Sequence, residues 1–231
     1  MLYRGLPSFP QRALLDAFIS VVKEYEIVMP SACKVYELGD VSKLPLIREA
    51  LEAGAKSERS DSIKLAVLES SRTSLRGVAE LAGEGHKVAF EIFGFRGKLF
   101  LLVPAGKKVA RRVAKAISEL TGVEVREAVL PSRKLEVLLA EGVVKLVIFD
   151  MVRIPGLRRV MLTGDAVSDT EIFKELFQAC VIKYVVFEDR EGILLGVSDS
   201  FSVVAFSRLA GEDLLELVKE KLLPLAAGEP W

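Results

Sequence analysis

A chain of 231 residues, 51% of them hydrophobic, can bury a sizeable core, as one large domain or two small ones. Its 32 Lys and Arg balance 32 Asp and Glu, so no global field draws it toward nucleic acid, although a local basic patch stays open. High net charge with low hydrophobicity, the mark of disorder, is absent.

Asn does not occur, Gln occurs only at Gln11 and Gln178, and 28% of residues are charged. Scarce thermolabile amides beside abundant Lys, Arg and Glu are the composition of a thermophile. One His and two Cys are too few for a structural zinc, which takes four ligands. Cys33 and Cys180 read as small buried apolar residues, with a disulfide between them as the alternative. No apolar run reaches the roughly 18–20 residues of a membrane-spanning helix. The N-terminus lacks a secretion-signal pattern, so the expected location is the cytoplasm.

In chain order, residues Pro10–Met29 read as a helix, with Leu14, Phe18, Val21, Val22 and Tyr25 at helical spacing and Pro30 as its stop. Lys34–Leu38 is a short strand, and a helix follows over Leu44–Ala53. Gly54–Asp61 is a polar loop. Residues 63–67 alternate as a strand, with a helix as the alternative, and Arg72–Ala82 reads as a helix closed by Gly83-Glu84-Gly85. Lys87–Phe93 and Lys98–Val103 are strands of a hairpin joined by Gly94–Gly97. A helix over Gly106–Leu120 ends at Gly122 as a left-handed cap, and Val123–Val129 alternates as a strand.

In the second half, Ser132 caps a helix to Ala140, and strands cover Val143–Phe149 and Arg158–Thr163. Ser168 or Asp169 caps a helix that buries Ile172, Phe173, Leu176 and Phe177. Strands over Val181–Glu188, Ile193–Val197 and Phe201–Phe206 are joined by turns short enough to force antiparallel neighbours. Gly211–Leu223 is the last helix, with Leu214, Leu215, Val218 and Leu222 inward, and the tail Ala227–Trp231 is loose. The expected class is α+β: two similar-sized modules, 1–130 and 131–231, each an antiparallel sheet with packed helices. A shift of 105 residues lays the hairpin and helix after Val88 over those after Ile193, which suggests a degenerate internal repeat.

The element order of the second half, and best the hairpin stretch Val185–Leu195 with its acidic-glycine turn, resembles the Roadblock modules, close in form to longin and profilin-like domains. That likeness implies a dimerising scaffold with no catalytic residues and no cofactor.

Searches for chemistry return structural readings. Pro104–Lys108 imitates the end of a P-loop but has Leu101 in place of the first glycine and Lys108 in place of the hydroxyl residue. His86 has no nucleophile or orienting carboxylate in view, and reads as a surface or strand-edge residue. Asp150, Asp165, Asp169 and Glu188-Asp189 are scattered carboxylates that could serve a metal-dependent enzyme, but their spacing reads as turns and caps, with Asp150 and Asp165 at opposite ends of one hairpin. Phe90, Phe93, Phe95 and Phe100 read as core or interface aromatics rather than a base-stacking platform.

The most informative surface is helical. Lys107, Lys108, Arg111, Arg112 and Lys115 share one face, opposite Val109, Val113, Ile117 and Leu120. A solvated face is the plain reading, and a docking face the functional one. The expected function is a non-enzymatic binding or assembly platform for a protein partner or a second copy, with nucleic-acid binding through the basic helix as the first alternative. The C-terminal helix offers Glu212, Asp213, Glu216 and Glu220, among Lys219 and Lys221, as a complementary surface.

Overall fold

Strand β1 (Ser31–Asp40) lies in the middle of the molecule because both of its edges are paired. The computed structural model describes residues 31–54, 63–81, 87–150 and 156–226. On one side of β1 the chain forms a meander of β2 (Ile63–Ser70), β3 (Ser74–Leu81), β4 (Lys87–Phe95) and β5 (Lys98–Val103). On the other side follow β11 (Ser202–Ala205), β10 (Leu194–Ser198), β9 (Val181–Asp189), β7 (Gly142–Asp150) and β8 (Arg159–Thr163). The described residues thus form one eleven-stranded antiparallel sheet, in which the two-residue β6 (Arg126–Glu127) also pairs with β1. The α+β class read from the sequence is present, and strands from both halves share this sheet.

The helices divide between the two faces. Along β1, Tyr36 and Leu38 enter the core beneath α1 (Leu44–Gly54) and α2 (Lys107–Thr121). Cys33 and Val35 enter the opposite core. That core packs beneath α3 (Ser132–Leu139), α4 (Glu171–Ala179) and α5 (Gly211–Leu217), which a π-helical turn (Val218–Leu222) joins to α6 (Leu223–Ala226). On β5 the same alternation sends Leu99, Leu101 and Val103 one way and Phe100 and Leu102 the other. Successive strand residues point to opposite faces, so a central strand that serves two cores carries apolar residues on both.

Several expected elements are redrawn. Arg72–Ala82 is not a helix: Ser74–Leu81 is strand β3, with Leu75, Ala79 and Leu81 buried at even spacing. Gly77 lies against the Phe90 ring and the Ala66 carbonyl, where a Cβ would collide, so the small residue fits a sheet and not a helix interior. The hairpin turn is Arg96-Gly97, with φ of 49° and 77°, the left-handed pair a two-residue loop demands; Gly94 lies inside β4. The strand expected over Val123–Val129 shrinks to β6. Ser132 does not cap α3; its hydroxyl accepts from the Ile182 N–H at 3.0 Å. Thr170, rather than Ser168 or Asp169, caps α4 by accepting from Phe173 N–H, and Ile172 is exposed there. On α2 the inward residues are Ala110, Val113, Ala114, Ile117 and Thr121, while Leu120 is exposed.

The cysteines are free, Cys33 buried in β1 and Cys180 half-buried after α4; burial pushes the Cys33 thiol up to about 12. Phe90 and Phe100 are core residues; Phe93 and Phe95 stack on each other at 6.4 Å against the second core. The readings for Pro10–Met29, residues 55–61, Gly83–Gly85, His86 and Ala227–Trp231 fall outside the described residues. No helix among the described residues is long and apolar enough to cross a membrane.

A buried ion pair ties the π-helical turn to the first half of the sheet. Glu91 of β4 is 2% exposed, and Lys219 reaches both of its carboxylate oxygens at 3.2 Å. Arg76 approaches Glu91 at 3.3 Å, and Glu216 accepts from Lys219 at 2.7 Å. Lys219 is therefore not on the exposed acidic face expected of the last helix; a turn wound one residue wider carries it inward, over the Phe93 ring at 5.5 Å. Breaking a buried pair strands a charge, whereas replacing both partners by apolar groups is often neutral. Glu91→Leu alone should cost about 3–5 kcal/mol in urea unfolding, with much of it returned in the Glu91→Leu/Lys219→Met double variant. Strictly additive losses would show that the pair is not coupled.

Candidate anion-binding site

The helix that carries the basic residues starts where β5 ends at Val103 and Pro104 blocks further pairing. Its apolar positions recur at helical spacing, and Gly122, at φ 67°, closes it by donating to the Ser118 carbonyl. Four of the five basic residues, Lys107, Lys108, Arg111 and Lys115, are exposed, and Arg112 is half-buried. They do not act as one stripe. Lys115 pairs one turn on with Glu119 at 3.4 Å, an exposed contact of small energetic weight. Lys107 and Arg111 instead turn to Glu127 of β6, at 3.9 and 3.0 Å.

Beneath Glu127 lies a third cation that the helix does not supply. Lys34 of β1 is opposite Val103 on one edge and Ser202 on the other, so its side chain rises from the centre of the sheet. It is 1% exposed, its ammonium is 3.1 Å from Glu127, and it also donates to the Ser200 carbonyl. That carbonyl belongs to the β10–β11 turn, in which Phe201 holds a left-handed φ of 48°. A bulky residue rarely adopts this conformation. Here the ring is fully buried, the N–H donates to Ser198 at 3.0 Å, and the carbonyl accepts from Val35 N–H at 3.1 Å. The strained turn is thus fixed by the same strand that carries Lys34.

Tyr36, two residues along β1 and opposite Glu127, completes the floor. It is 3% exposed, its ring lies 5.7 Å from the Lys34 ammonium, and its buried hydroxyl has no hydrogen-bond partner among the described residues. Such an orphan is uncommon and calls for an explanation. Burial, helped by the Glu127 charge and opposed by Arg111, pushes the hydroxyl up to about 12, so it is a donor at neutral pH.

The charges are unequal: three cations meet one carboxylate. Burial lowers the Lys34 ammonium below the ordinary lysine value, against the pull of Glu127 and with the push of Lys107 and Arg111. Burial alone would raise the Glu127 carboxyl, and the hydrogen bonds from Lys34 and Arg111 outweigh it and hold it low. Pairing with Glu127 therefore leaves Lys34 under-compensated. The helix adds to the excess, because its first turn has no acidic residue and Gly106 has no side chain to cap it, so its first N–H groups and partial positive charge face outward. Such an arrangement can bind an anion.

The other candidates are spoken for. Asp150 takes two hydrogen bonds of 2.8 Å from Arg159, which hold its carboxyl low. Asp165 follows Thr163, which pairs with Leu146, so the two aspartates lie at opposite ends of the hairpin. A cavity of about 250 Å³ between α3, the β9–β10 turn and the π-helical turn has an apolar floor that includes Phe187 and Leu195. The charges at its mouth are paired: Lys221 with Asp189 at 2.9 Å and Glu191 at 3.5 Å, and Arg190 with Glu141 at 3.7 Å, while the other Asp189 oxygen accepts from the Glu191 and Ile193 N–H groups. No known family and no curated protein matches the chain in sequence.

Lys34 and Tyr36 escape sequence reasoning because they lie far from the helix in the chain, and Glu127, close to it in the chain, because only its pairing with β1 turns it to the helix start. The one local signal is a lysine in the strand Ala-Cys-Lys-Val-Tyr-Glu-Leu, where every other odd and even position suits a core or an edge.

Glu127 gives the site a pH dependence. Unfolded, it takes up a proton near the ordinary value of about 4.3; folded, it resists until lower pH. Its contribution is complete above that value and is lost as pH falls through the folded one. Between roughly pH 5 and 3, wild-type protein should therefore lose more stability than Glu127→Gln in urea titrations. Equal losses would contradict the pairing.

Proposed function

We propose that this chain is a non-enzymatic binding platform that receives an acidic polypeptide surface at the start of α2. The carrying observation is the charge imbalance: Lys34, Lys107 and Arg111 share one carboxylate while Lys108 stays exposed beside them. The chain as a whole has zero net charge, so the attraction is local and suits a protein patch better than the long phosphate track of a nucleic acid. A second copy qualifies as partner, because α5 carries Glu212 and Asp213 exposed in its first turn. In that reading the protein would assemble through the two helices, with the β-sheet as rigid backing.

Poly-L-glutamate and a DNA duplex serve as probes, measured by calorimetry at two salt concentrations. Poly-L-glutamate should bind more weakly as salt screens the patch, and Lys107→Glu/Lys108→Glu should abolish binding. DNA bound more tightly than poly-L-glutamate, or no binding of poly-L-glutamate at low salt, would overturn the proposal.

A further inference from the structure

We propose that Glu127 sits, as an internal stand-in, in the seat of a phosphoryl group, and that the floor of the basic site binds small phosphate-bearing ligands. The inference rests on the reading of this site as an anion receptor and adds a second, smaller ligand, seated on the floor beneath the rim that meets the polypeptide.

A helix start and a few surface cations would not carry this. The floor does. Tyr36 is 3% exposed, stands in register opposite Glu127 with its ring 5.7 Å from the Lys34 ammonium, and has a buried hydroxyl with no partner among the described residues. Lys34 is 1% exposed beside it, where β1 is paired with β5 on one edge and β11 on the other. Burying an ammonium is costly and is not required by the fold, since an apolar residue would pack there. A carboxylate offers two oxygens, both already taken: one by Arg111 at 3.0 Å, the other by Lys34 at 3.1 Å and Lys107 at 3.9 Å. Among the described residues the Tyr36 hydroxyl is left without a partner. A phosphate has more oxygens and more charge, so it can satisfy the three cations, the tyrosine and the first N–H groups of α2 together.

Glu127 can leave. It is about one-third exposed, and its strand is two residues long, paired with β1 opposite Tyr36 and Glu37 and followed by one further bond, from Ala128 N–H to the Val35 carbonyl at 3.3 Å. Ligand binding would exchange one anion for another over a rigid floor. Lys34, Tyr36 and the start of α2 stay in place, and only the β6 contact opens. Oxyanion competition of this kind makes Glu127 an inhibitor of its own site, so its removal should strengthen binding.

The test uses the full chain, with inorganic phosphate, glycerol 3-phosphate and vesicles containing phosphatidic acid as probes, followed by calorimetry and by NMR of the Tyr36 ring. Glu127→Gln should tighten phosphate binding by about tenfold, and Tyr36→Phe should weaken it by about tenfold with little change in melting temperature. Lys34→Met, which retains the packing, should abolish it. Glycerol 3-phosphate binding at least as tightly as phosphate marks a free small ligand, and binding confined to the vesicles would overturn that source. Phosphate affinity indifferent to both Glu127→Gln and Tyr36→Phe would overturn the proposal. If poly-L-glutamate binds while no phosphate probe does, the small-ligand inference fails alone; if neither binds, the receptor reading falls with it.

Discussion

The structure depends on one constraint: β1 must serve two sheets' worth of strands and two cores at once. Its hydrogen bonds join the β2–β5 meander to the β11–β8 series, and its alternating side chains feed cores on opposite faces. A strand so placed has little solvent side, and Cys33, Lys34, Val35 and Tyr36 are all buried whatever their type. That is how a lysine comes to be 1% exposed at position 34. The same geometry sets Tyr36 on the same face and Ser200 within reach, so the floor of the candidate site follows from the fold's central pairing.

The two halves are locked a second time, and by different means. Where β1 joins them through backbone hydrogen bonds, Glu91 and Lys219 join them through a buried charge pair across the other face. Lys219 lies in the π-helical turn and reaches Glu91 from there. Buried pairs add little net stability but penalise alternatives strongly. Here the penalised alternative is any packing in which the last helix lifts from β4.

Much of the fold was legible because it is written in local periodicity. The second-half meander, the β4–β5 hairpin and α2 with its Gly122 cap follow from short turns and apolar spacing. Ser74–Leu81 was not legible as a strand, since Leu75, Val78, Ala79 and Leu81 also fit a helix; the arbiter is Gly77, whose need for space under Phe90 is tertiary. The cap of α4 was displaced by one residue because Thr170, Ser168 and Asp169 are all competent caps. Of the site, the sequence revealed the rim on α2 but not the floor, which is assembled by strand pairing between positions about ninety residues apart. That one sheet would run through both halves was equally hidden, because no local pattern states which edge of a strand meets which.

The account turns on whether Lys34 is a buried cation left under-compensated by its single carboxylate. An NMR pH titration of isotopically labelled lysine side chains reads this directly. Lys34 should titrate apart from the other lysines, below the ordinary value of about 10.4, and should fall further when Glu127 is replaced by Gln. A Lys34 signal that titrates with the exposed lysines, unmoved by that replacement, would contradict the buried floor and the anion site built on it.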